Sequence, residues 1–118
     1  MKHQNGRQKL NLKSGHRKAL LRNQIIHFIR FGALQTTKVR TKEVQRLVEK
    51  IVTIARTGYD FNTIRRIKQM LPYDELMVKK LIKDIAPKYV GRPGGYTRVI
   101  NLGRRASDTA SIARLEWV

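Results

Sequence analysis

The chain has 118 residues, with 26 Lys and Arg against eight Asp and Glu and a formal net charge of +18. That length suits a single domain, and 41% hydrophobic residues are enough for its core. The absence of cysteine excludes a disulfide framework, Cys-ligated zinc and a thiol nucleophile, and no apolar run approaches the ~20 residues of a membrane span.

Residues 1–13 read as a basic arm. From Met1 to Lys42 there is no acidic residue, the first being Glu43. The arm carries Lys2, His3, Arg7, Lys9 and Lys13 but almost nothing apolar besides Leu10 and Leu12. Two leucines cannot offset the roughly 1–2 kcal/mol per residue of fixing that backbone. Alone, the segment is expected to be extended and self-repelling, ordered only by a dense polyanion. Nucleic acid is the first partner such charge implies, an anionic membrane surface the second and an acidic protein the third. The start lacks the apolar centre of a secretory signal, and no amphipathic stripe precedes Ser14, so the expected address is the cytoplasm or an organelle interior.

Ser14 is placed to cap a helix over Gly15–Phe31, with Leu21, Ile25, Phe28 and Ile29 on one face and Gly32 as its stop. Arg17, Lys18, Arg22 and Arg30 occupy its polar side, and no acid interleaves them. ALQTT, residues 33–37, reads as one brief strand, and Thr37 can cap the next helix. Lys38–Thr57 has the strongest helical period, with Val44, Leu47, Val48, Ile51, Ile54 and Ala55 in register and Gly58 after it. Arg46 and Glu49 are spaced to pair on its surface.

Asp60 is placed to cap a third helix, Phe61 to Met70, burying Phe61, Ile64, Ile67 and Leu71. Pro72 breaks the run, and Asp74 and Glu75 favour a new helix start. The fourth helix reaches Ile85 and buries Met77 or Val78, Leu81, Ile82 and Ile85, with Pro87 closing it. GRPGG must be a loop. YTRVIN and SIARLEWV alternate as strands, the second placing Ala113, Leu115 and Trp117 on one side. The order α-β-α-α-α-β-β makes a two-layer α+β domain over residues 14–118. Its helices pack on one face of a small three-stranded sheet.

Little in the sequence supports catalysis. His16 and His27 lie about 16 Å apart along a helix, at about 1.5 Å per residue, and cannot share a metal ion. Asp74 and Glu75 diverge, and Asp84 lies too far along to join them, so the convergent carboxylates of a nuclease are missing. GRPGG is not followed by GK[ST] and is no phosphate-binding P-loop. No enzyme activity and no cofactor are expected. GRPGGYTR does suit RNA. Its glycines let backbone approach a phosphate, Arg92 and Arg98 offer planar forks, and Tyr96 is placed to stack on an exposed base. The plain alternative is a flexible loop with surface arginines. A helix-turn-helix reading fits poorly, because the third and fourth helices hold the acids Asp74, Glu75 and Asp84.

These residues resemble the family of the seventeenth protein of the bacterial large ribosomal subunit. The likeness runs through the MKHxxGRxKLN-type opening, SGHRKALLRN, KEVQRLVEKIVTIAR, GRPGGYTRV and LGRRASD. The resemblance implies a non-catalytic protein bound to large-subunit ribosomal RNA near the peptide exit tunnel. It also implies contact with neighbouring large-subunit proteins, the thirty-second among them. The residues and the resemblance together nominate an RNA-binding set. It comprises the five arm residues already named; His16, Arg17, Lys18, Arg22 and Asn23 of the first helix; Lys38 and Arg40; and Arg92, Gly94, Gly95, Tyr96, Arg98, Arg104 and Arg105.

Overall fold

The computed structural model describes residues 13–58, 60–71 and 75–118. The expectations for the arm before Lys13, the break at Pro72 and the helix start at Asp74 lie outside the described residues. Helix α1 spans Ser14–Phe31, strand β1 Ala33–Thr37, helix α2 Lys38–Ala55, helix α3 Phe61–Met70 and helix α4 Glu75–Lys80. A wide π-helical turn, Leu81–Ile85, and a tight 3-10 turn, Ala86–Tyr89, continue α4. Strands β2, Thr97–Arg104, and β3, Ser111–Trp117, complete the chain.

The sheet is antiparallel with β3 in the centre, in the order β1-β3-β2. The helices cover one face, and Leu34, Ala113 and Leu115 point into the core there. Strand alternation therefore sends Gln35, Arg98, Ile100, Arg114 and Glu116 to the other face. Val44, Val48, Ile51, Val52 and Ala55 of α2 form the centre of the core, as their period requires. The two-layer α+β arrangement is the one expected.

Local departures have local causes. Lys13, not Ser14, occupies the capping position of α1, because the helical bond from Arg17 N–H to the Lys13 carbonyl (2.8 Å) starts the helix one residue early. Thr37 precedes α2 without capping it; its carbonyl instead accepts from Thr41 Oγ1 at 3.0 Å. Asp60 does cap α3, accepting from Thr63 N–H at 2.8 Å, and that bond holds its carboxyl below the usual range. Phe61 is not buried. It is 76% exposed, with Arg65 over its ring, and α3 buries Thr63 and Ile67 with Leu71 beyond its end. Arg46 pairs with Glu43 at 2.9 Å rather than with Glu49, whose carboxylate reaches across to Thr97 Oγ1 at 3.2 Å. Pro87 does not end the helical path. It lacks an N–H to donate backwards, and the chain passes through the wide turn before it and the tight turn around it.

Candidate nucleic-acid interface

Helix α1 carries Arg17, Lys18, Arg22 and Arg30. At 100° per residue, Leu21, Ile25, Phe28 and Ile29 make its buried stripe, Arg17 and Arg22 border that stripe on its two sides, and Lys18 lies in line with it one turn before Leu21. His16, Asn23 and Arg30 lie on the opposite, exposed side. No acidic residue occurs in α1 or anywhere before Glu43, so the helix supplies its cations with no carboxylate of its own. Ion pairs form within α2, between α3 and α4, between β2 and β3, within β3 and in the β2–β3 turn.

The other candidates fall into two groups at opposite ends of the sheet. Thr37 aligns with Ile112, and Ile112 with Gly103, so Lys38 follows β1 at the end where Arg104 and Arg105 lead into the β2–β3 turn. Arg92, Gly94 and Gly95 sit beyond the other end, before Thr97. The length of β2, roughly 23 Å at about 3.3 Å per residue, separates these groups. What the sequence presents as one Gly- and Arg-rich stretch is thus two sites joined by a strand. Arg98 and Arg114, on the open face between them, share one carboxylate. Glu116 accepts from Arg98 at 2.7 Å and from Arg114 at 3.3 Å, and the Arg98 bond is the first cause that holds its carboxyl below the usual carboxylate range.

Tyr96 does not belong to the interface as expected. Its side chain is 0% exposed and its ring lies 5.3 Å from that of Tyr89. The hydroxyl is 3.1 Å from Thr53 Oγ1. Stacking on an RNA base is overturned, because the ring is already enclosed by the core. Arg56 stands over the Tyr96 ring at 5.9 Å and donates to the Arg92 carbonyl. It thereby ties the loop to α2, a positioning role that no sequence motif signalled. Gly95 takes φ +66°, where a side chain is strained, while an added Cβ at Gly94 meets open space. The conformational need for glycine is therefore at Gly95.

The β2–β3 turn is built around Asp108. Its carboxylate accepts from Arg105 at 2.6 and 2.9 Å and from the Ala110 N–H at 3.2 Å. The Arg105 bonds come first among the causes that hold its pKa down to about 2. Replacing Asp108 by Ala is expected to speed amide exchange at Ala110 by roughly threefold to tenfold, the scale of one lost surface hydrogen bond. Since the folded pKa is depressed, the wild-type turn should keep its protection above the ordinary aspartate range and lose it as pH falls toward about 2. Exchange rates across that window check both statements.

An open crevice of about 210 Å³ lies between α1, α2 and α3, lined in part by Lys18 and Arg22. Among the described residues, no group of three or more His, Asp or Glu could hold a metal ion, and no helix is long and apolar enough to cross a membrane.

A family model described as ribosomal protein L17 matches residues 20–118. The large ribosomal subunit protein bL17 of Aliarcobacter butzleri is 42% identical over 118 residues, covering all of both chains. That of Clostridium kluyveri is 44% identical over 110 residues, 93% of this chain and 96% of the relative. That of Bdellovibrio bacteriovorus is 47% identical over 106 residues; the match takes in 90% of this chain but spans 58% of that relative's length.

Proposed function

The chain belongs to the ribosomal protein L17 family, and from that premise we propose that it is a structural, non-catalytic constituent of the large subunit that works by binding large-subunit ribosomal RNA. The observation that carries this reading is α1, whose Arg17, Lys18, Arg22 and Arg30 stand without an acid in their own helix or in the first 42 residues. Such a field costs the folded protein self-repulsion and is relieved by a polyphosphate. Residues 1–13 then serve as a basic arm adding to the contact made by the domain of residues 14–118. The two sheet-end groups suit an irregular folded RNA better than one straight groove, because phosphates must be met on several sides. Location near the peptide exit tunnel, and contact with the thirty-second protein of the subunit, are the finer parts of this proposal. They rest on the family resemblance. The ribosome of the cytoplasm is the corresponding address.

The test is direct titration of full-length protein with large-subunit ribosomal RNA and with duplex DNA of matched length. Tighter binding to the RNA is expected, with log affinity falling linearly in log salt by roughly 0.7–0.9 per phosphate neutralised. Equal affinity for the two polymers would make the protein a general nucleic-acid binder and overturn the ribosomal RNA reading.

A further inference from the structure

We propose that the Phe31 ring at the end of α1, backed by His27, is a platform on which one unpaired base of the bound RNA stacks, an inference that rests on the RNA-binding reading above. Phe31 is 66% exposed. A single apolar residue at the surface needs no partner; the groups around this one give it a meaning. The imidazole of His27, one helical turn earlier, has its centre 4.7 Å from that of the Phe31 ring and is tilted by 50° to it. Asn23, a further turn back, completes an exposed row of Asn23, His27 and Phe31 along the helix. Arg30 is exposed beside that row. The Lys80 amino group donates to the Arg30 carbonyl at 2.9 Å, which brings a second cation to this end of α1. Among the described residues, no carboxylate pairs with Arg30 or Lys80.

These polar groups decide between a base and a protein side chain. An apolar side chain laid on Phe31 would strip water from Arg30, His27 and Asn23 and return no bond to any of them. An acidic peptide would answer the cations and leave the ring without a counterpart. A nucleotide answers both. Its base offers a flat π-face to the phenyl ring, and its edge or 2′-hydroxyl can bond the Asn23 amide and the His27 ring, each able to donate and accept. Its phosphate falls to the planar fork of Arg30. An exposed ring set among cations is also how single-stranded RNA is held without readout of its sequence. With Tyr96 enclosed in the core, Phe31 is the aromatic ring that α1 offers beside its cations.

The test titrates large-subunit ribosomal RNA into the full-length protein and its Phe31→Ala, Phe31→Leu and Phe31→Tyr variants. The position is exposed, so folding should be undisturbed. Phe31→Ala is expected to weaken binding by roughly fivefold to 150-fold, the range spanned by one stacked base. Phe31→Leu should weaken it nearly as much, because leucine keeps apolar area but has no ring. Phe31→Tyr should bind as the wild type does. The salt slope should stay unchanged in all three, because no charge is removed. Ultraviolet irradiation of the wild-type complex, followed by trypsin, should leave a nucleotide on the peptide of residues 31–38, in which Phe31 is the only aromatic residue. Wild-type affinity in Phe31→Leu would make the contact merely apolar and overturn stacking. Wild-type RNA affinity in Phe31→Ala, with poorer retention of that variant on reconstituted large subunits, would assign the ring to a neighbouring protein and overturn it as well. An unmodified 31–38 peptide with silent variants overturns the platform alone, whereas no RNA binding by the wild type overturns the functional reading with it.

Discussion

Tyr96→Ala is expected to lower folding stability by about 3–5 kcal/mol, the range for removing a large buried ring. Tyr96 is among the largest side chains with no exposure at all. It joins the loop end of the sheet to the helical layer through a chain of aromatic contacts. Tyr96 meets Tyr89 at 5.3 Å, Tyr89 meets Trp117 at 6.0 Å, and Trp117 meets Phe28 of α1 at 4.6 Å. The Tyr89 hydroxyl donates to the Val118 carbonyl at 2.9 Å, and the Val118 N–H donates to the Tyr96 carbonyl at 3.0 Å, closing the C-terminus over the same cluster. Removing the ring leaves a cavity that these partners cannot fill without moving both layers. Tyr96→Phe keeps the ring and loses only the contact with Thr53, so it should cost about 0.5–1.5 kcal/mol. Urea denaturation of both variants separates the cases. If Tyr96→Ala unfolds at the wild-type midpoint and instead loses RNA affinity while folded, the ring is an interface group after all.

The misplacement of Tyr96 shows where reading the sequence stops. Its neighbours in the chain, GRPGG before it and Thr97–Arg98 after it, are those of a surface loop. Its ring meets Thr53, Arg56 and Tyr89, and only folding brings them together. The elements themselves were legible because they depend on local period: α1, α2, β1 and the β2–β3 pair stand where their apolar spacing puts them. Phe61 was misjudged because it begins a helix of ten residues, in which a few apolar positions do not fix which way the first turn faces. Basic α1 was legible from an absence of acids, a property of the chain alone. The crevice was not, since Gln69 and Met70 come to line the same space as Lys18 only through the packing of α3 near the earlier helices. Nor could the sequence show that Arg56 holds the carbonyl of Arg92, 36 positions away.

Neutralising Lys13, Arg17, Lys18 and Arg22 together, each to Gln, should produce the largest functional loss. If all four meet phosphate, the log–log salt slope of ribosomal RNA binding should become shallower by roughly 2.8–3.6 units, at about 0.7–0.9 for each contact. Folding should be nearly unaffected. These side chains flank or precede the buried stripe of α1, and Gln keeps helix propensity close to that of Lys and Arg. Relief of like-charge repulsion could even raise the denaturation midpoint slightly. Two further variants locate the effect. A fragment of residues 14–118 should lose slope in proportion to the arm cations that touch RNA. Arg66→Gln with Lys79→Gln removes two exposed charges from the α3–α4 side, where Glu75 and Asp84 are at hand, and should change the slope little. Net charge falls in every variant, so a field acting through total charge alone would weaken all three according to the number of cations removed. A slope that responds to α1 and not to Arg66 and Lys79 means that particular side chains meet particular phosphates. Equal change per charge removed would return the protein to a diffuse cation with no interface of its own.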